Sequence, residues 1–132
     1  MYNRPKELDE LLASVLIQEY DEVFDVYVIE DGSSVKSDLI VEKYKSELSI
    51  HYLEKENTGP GPSRNFGMQK ATGNYFIILD SDVILPKQYL ATIANQLEHK
   101  HTDAFGGPDA AHPNFSVLQK AINYSMTSRI IK

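Results

Sequence analysis

"YFIILDSDVILP", residues 75–86, runs five side chains of the buried type straight into two carboxylates, Asp80 and Asp82. A short continuous apolar run that stops abruptly on acids predicts a strand covered on both faces, as in a parallel sheet. In open α/β sheets, ligands bind beyond the carboxyl ends of the strands, which is where this run places its acids. Side chains at i and i+2 of an extended segment share a face, so both aspartates are expected to address one site. Two carboxylates held that close repel. A divalent cation relieves the repulsion: Mg²⁺ or Mn²⁺ takes one or two carboxylates, several waters and the oxygens of a diphosphate. The plainer alternative is that Asp80 and Asp82 cap the helix that Pro86 opens.

Working outward, the chain alternates. Asn3 is the expected cap of a first helix, with Pro5 in its first turn and Leu8, Leu11, Leu12, Val15 and Leu16 at helical spacing. The β-branched run Val26 to Ile29 predicts a strand that ends on "EDGSS". Ser37 is expected to cap a second helix through Ile40, Val41 and Tyr44, and Leu48, Ile50 and Tyr52 alternate as a short strand. "TGPGPS" predicts a loop, and Ser63 to Thr72 a helix closed by Gly73. After the 75–79 strand, Pro86 is expected to open a helix carrying Leu90, Ile93 and Leu97. "DAFGG" suggests a further strand, and Val117, Leu118, Ala121, Ile122 and Met126 a last helix. The order α-β-α-β-α-β-α-β-α predicts a layered α/β fold with helices on both faces. Residues 1–132 are expected to form a single partial domain, its first strand missing and its last helix unstopped.

Composition narrows the partners. A chain of 132 residues with 42% hydrophobic content suffices for one modest core. With 13 Lys and Arg against 19 Asp and Glu, and no basic block, a nucleic acid or an anionic membrane is not the expected partner. The absence of cysteine excludes disulfides and thiolate metal sites and fits a reducing compartment. No apolar run approaches the about 18 residues of a membrane span. The expected location is cytoplasmic, with membrane association left open for the full-length protein.

Two further stretches carry chemistry. In "VIEDGSS" the carboxylates end a strand, where an acid can accept from a ribose hydroxyl or a base N–H, or where an Asp-Gly turn simply forms. In "ENTGPGPSRNFGMQKATGNY", Gly59 and Gly61 allow close backbone approach, the following helix offers N–H groups to anions, and Arg64 sits in its first turn. Arg64 is otherwise a surface charge. Neither a GxGxxG nor a GxxxxGK[ST] fingerprint is present.

Together "YNRPKELDELLASVLIQEY", "VIEDGSS", "ENTGPGPSRNFGMQKATGNYFIILDSDV" and "FGGPD" resemble, in order and spacing, the nucleotide-binding half of family 2 glycosyltransferases, which have the GT-A (Rossmann-like) fold. The resemblance implies sugar transfer, with inversion, from a nucleotide-diphospho-sugar, foremost a UDP-sugar, to a saccharide or lipid-linked acceptor hydroxyl. It implies that Tyr2 lies near the nucleotide base and that Asp31 hydrogen-bonds it. Arg64 matches a basic position near the nucleotide-sugar, Asp80 the first, ribose-facing Asp of the DxD pair, and Asp82 the metal-binding second. The cofactor implied is Mn²⁺ or Mg²⁺. Departures are the family's opening "SVVIPVYN" strand, of which only "YN" stands here, Glu30 where many members have Asp, and the general base, which in the family lies downstream of "GGPD" and is assigned to no residue of this chain.

Other readings are weaker. A haloacid-dehalogenase-like phosphohydrolase also places Asp-x-Asp after such a run, but its motif normally opens the domain and prefers Thr or Val where Ile84 stands. A non-catalytic fragment that self-associates through unpaired strand edges, as a homo-oligomer, is compatible with the family reading. His99 and His101 are expected to be solvated and His51 packed or half-exposed, while Asp109 and His112 are expected in a connecting loop.

Overall fold

The computed structural model describes residues 1–106, 110 and 116–121. They include six regular elements of at least six residues: α1 (Pro5–Leu16), β1 (Val26–Asp31), α2 (Asp38–Tyr44), β2 (Ile50–Lys55), α3 (Pro60–Lys70) and α4 (Tyr89–His99). The chain divides into two compact units, residues 1–96 and 97–132.

The first unit is organised by a β-α-β crossover. β1 and β2 pair in parallel with Val26 opposite Ile50 and Asp31 opposite Lys55. Side chains alternate across a strand. Val28 therefore faces α1 and α2, where it packs with Leu8, Leu12, Val41 and Tyr44 in the main core. Ile29 faces the other way and lies against α3, where Gly67 leaves so little room that an added Cβ would meet Ile29 Cγ1 at 3.2 Å. Helices thus cover both faces, as the alternation predicts. A second cluster, Leu11, Val15 and Leu85, joins α1 to the segment that follows the acids. There the buried Ser14 hydroxyl donates to Leu11 O at 2.7 Å and accepts from Leu85 N–H at 3.0 Å.

Several local expectations are corrected. Asn3 does not cap α1: Arg4 stands at that position, and Asn3, with φ 52°, uses its side-chain oxygen to accept from Val35 N–H at 2.9 Å. Ser37 holds the N-cap position of α2, but its buried hydroxyl makes no cap bond and has no partner among the described residues. α3 starts at Pro60, inside the expected loop, because proline at a helix start forfeits no hydrogen bond and Gly59 makes the preceding turn at φ 89°. It ends before extended Ala71 rather than at Gly73. α4 begins at Tyr89, after a turn in which Tyr89 N–H bonds Pro86 O at 3.0 Å.

The largest correction concerns residues 75–79. They form no strand, because no described residue offers them a ladder, and Tyr75, Phe76, Ile77 and Ile78 are exposed. Leu79 alone of the five packs, against the second cluster. The β1 edge opposite β2 is met instead by Met1, whose N–H donates to Ile29 O at 2.6 Å and whose carbonyl accepts from Asp31 N–H at 2.8 Å.

In the second unit residues 103–106 are not a strand, and Gly107, the end of the expected "DAFGG" element, lies outside the described residues. Residues 117–121 are helical, and Ser116 caps them: its hydroxyl accepts from Gln119 N–H at 3.3 Å, and the Gln119 side chain accepts in return from Ser116 N–H at 2.9 Å. Ile122, Met126, Asp109 and His112 lie outside the described residues. His99, His101 and His51 are exposed, and His51 stacks on Tyr27. Among the described residues no helix is long and apolar enough to cross a membrane.

Candidate functional site

β1 delivers Glu30 and Asp31 to its carboxyl end on opposite faces. Glu30, on the α1–α2 face and 1% exposed, accepts from the Ser33 hydroxyl, from Ser37 N–H at 3.1 Å and from the Tyr52 hydroxyl at 3.1 Å. Burial, then the charge of Glu30, pushes the Tyr52 phenol well above its ordinary value, so the proton stays on tyrosine. Glu30 is thereby committed to holding the start of α2.

Asp31 faces α3 and is 4% exposed. Its Oδ1 takes the Lys55 ammonium and Thr58 N–H at 3.0 Å, and its Oδ2 takes Gly59 N–H at 2.9 Å. Burial acts to raise this carboxyl, but Lys55, Thr58 N–H, the Ser63 hydroxyl and Gly59 N–H together hold it down at about 2. The two backbone amides just ahead of α3, those of Thr58 and Gly59, are thus turned onto Asp31. A carboxylate offers about four lone-pair sites. The Lys55 ammonium, the Thr58 and Gly59 amides and the Ser63 hydroxyl draw on all of them.

The segment before α1 runs beside this end of the sheet. Tyr2 is 51% exposed, between Met1 on the β1 edge and Asn3, whose N–H bonds the Ser33 hydroxyl at 2.8 Å. From the N-cap of α1, Arg4 Nη1 donates to Asp82 Oδ2 at 2.6 Å. From the first turns of α3, Arg64 Nη2 donates to Asp80 Oδ1 at 2.7 Å. Both pairs are open to water, with side-chain exposures of 46% and 53% for Arg4 and Asp82 and 46% and 67% for Arg64 and Asp80. Exposed pairs of this kind add little to stability. Residues 81–82 form a turn, so the extended-chain reason for a shared face ends at Asp80.

Arg64, Asp80 and Asp82 are therefore brought into direct pairing relations. Arg4 and Lys55 were not singled out by the sequence reading. Arg4 carried a weak signal, a lone cation beside the "YN" tail, and Lys55 is legible only once the strand register sets it opposite Asp31. As for a metal, no group of three or more His, Cys, Asp or Glu able to hold one occurs among the described residues. Two exposed carboxylates nevertheless fit a hard ion that keeps several waters.

The model of the Glycosyl transferase family 2 matches residues 1–131. The chain belongs to that family. The haloacid-dehalogenase alternative is not favoured. Among family relatives, the poly(ribitol-phosphate) beta-N-acetylglucosaminyltransferase TarS of Staphylococcus aureus is 34% identical over 105 residues, which are 77% of this chain and 18% of that protein. The glycosyltransferase GlyA of Streptococcus pneumoniae is 31% identical over 105 residues, 78% of this chain and 15% of that one. The crystal structure of residues 1–349 of S. aureus TarS superposes with a TM-score of 0.72 at 30% identity, covering 83% of this chain and 36% of that one. The fold is accordingly the α/β fold of these transferases. The same TarS region has been crystallised in complex with UDP and with UDP-GlcNAc, each again with a TM-score of 0.72. This family 2 chain thus spans only a small part of the relatives it matches.

Proposed function

We propose that this chain forms the donor-binding part of a glycosyltransferase that moves a sugar from a nucleotide-diphospho-sugar, with a UDP-sugar the first choice, to an acceptor hydroxyl on a saccharide or a lipid-linked carrier. The observation that carries the reading is the meeting, at the carboxyl end of the sheet, of Asp80 and Asp82 with arginines from the starts of α3 and α1. Membership of family 2 and the UDP complexes of TarS support it.

In this reading exposed Tyr2 offers a ring face to the nucleotide base, and Asp31, held by Lys55 and the turn ahead of α3, hydrogen-bonds the base by exchanging one of those partners for a base N–H. Asp80 accepts from a ribose hydroxyl, and Arg64, which it positions, faces the diphosphate. Asp82 would hold Mn²⁺ or Mg²⁺ together with water and diphosphate oxygens. When bound there, the ion would supply Lewis-acid neutralisation of the departing nucleoside diphosphate. The base that deprotonates the acceptor is assigned to no described residue.

Calorimetric titration of the chain with UDP and GDP, with and without Mn²⁺, tests the proposal beside Asp82→Ala. The expected result is UDP binding that depends on Mn²⁺ and is lost in the variant. Equal binding by the variant would overturn it, as would no binding by a folded wild-type chain.

A further inference from the structure

Arg4, at the N-cap of α1, and Asp82, the candidate metal ligand, lie 78 positions apart and meet in an ion pair at 2.6 Å. The backbone around Arg4 is tied down: Asn3 is bonded to Ser33 and Val35, and Arg4 O accepts from Leu8 N–H at 3.1 Å. Its side chain is not. The guanidinium and the carboxylate are each about half exposed, so the pair can open without unpacking the core. A guanidinium stays charged throughout the pH range in which proteins fold, so the side chain is a cation whichever partner it holds.

We infer that Arg4 is an exchangeable occupant of Asp82: it neutralises the carboxylate while no ion is bound, and it swings to the donor's diphosphate when the ion takes its place. The inference rests on the donor-site reading above. A guanidinium suits both positions, because its planar fork pairs with carboxylate and with phosphate alike. An ion arriving alone must displace a cation that no phosphate is there to receive. An ion arriving with a diphosphate does not, because the diphosphate receives the displaced arginine. Arg4 thus couples the two ligands, each strengthening the other by the same factor. The Arg64–Asp80 pair does not substitute for this coupling, since it neutralises the other carboxylate.

The test measures Mn²⁺ affinity by the loss of free-ion electron paramagnetic resonance signal, with and without UDP, for wild type, Arg4→Gln, Arg4→Lys and Asp82→Ala. Circular dichroism checks that each chain is folded. Arg4→Gln is expected to bind Mn²⁺ alone several-fold more tightly than wild type. Its enhancement by UDP is expected to shrink from within the roughly 5–150-fold range of typical coupling toward unity. Arg4→Lys, which keeps the charge but not the fork, is expected to fall between. Unchanged Mn²⁺ affinity and unchanged enhancement in a folded Arg4→Gln, with binding lost in Asp82→Ala, would overturn the exchange and leave the donor site standing. Retained Mn²⁺ and UDP binding in Asp82→Ala would overturn both.

Discussion

Replacing Asp31 by Asn tests whether the carboxyl end of β1 is organised chiefly to hold itself together. The side chain keeps its shape but loses its charge, and one of its two acceptor atoms becomes a donor. Lys55, only 15% exposed at its side chain, then loses its carboxylate but keeps bonds to Glu56 O at 2.7 Å and the Thr58 hydroxyl at 2.5 Å. Removing one partner of a buried pair costs about 3–5 kcal/mol, and those residual bonds place this case at the low end. The carboxyl group provides a second measure: its fall from 3.8 to about 2 on folding represents on the order of 2 kcal/mol at neutral pH. The expected loss is therefore about 2–3 kcal/mol. In urea unfolding followed by far-ultraviolet circular dichroism, that lowers the midpoint by roughly 1 M for a chain of this size. Because the folded carboxyl is depressed, its contribution is fully present above the unfolded value of 3.8 and is lost as pH falls through about 2. The gap between wild type and Asp31→Asn should accordingly close between about pH 4 and pH 2. A loss under about 0.5 kcal/mol at pH 7, or a gap that does not change over that acid range, would refute the reasoning.

Gly32 has φ +69°, and an added Cβ would lie 2.6 Å from Asn57 N, so Gly32→Ala is expected to cost about 2–4 kcal/mol, read as a lowered urea midpoint. Ser14→Ala leaves the buried Leu85 N–H without its acceptor and should cost about 1–3 kcal/mol; a change below about 0.5 kcal/mol would show that another acceptor replaces the hydroxyl. The exposed run Tyr75 to Ile78 is expected to drive association between copies, so the mass from light scattering after size exclusion should rise with concentration and fall back in Ile77→Lys. A single mass at all concentrations would count against that association.

Much of the first unit is written locally. Leu8, Leu11, Leu12 and Val15 recur at the period of a helix and are the residues α1 buries. The β-branched run at Val26 stops at the acids where β1 stops. These features depend on neighbours within a turn or two, so the order of α1, β1, α2 and β2 and the position of Asp80 and Asp82 behind an apolar run were legible. The strand expected at 75–79 was not, because a strand exists through bonds to a partner that its own composition cannot supply. Likewise the Pro and Gly content of "TGPGPS" is shared by loops and helix starts, and the turn at Gly59 together with the packing of Gly67 on Ile29 decided between them. Which charges meet was wholly a tertiary matter. Asp31 finds Lys55 through strand register, Asp80 finds Arg64 through the docking of α3 on β1, and Asp82 finds Arg4 across 78 residues. The amino-acid sequence by itself determined which carboxylates stand near the sheet's edge; only the folded chain decided which cations they hold, because ion pairs depend on distances that the packing of helices on the sheet creates.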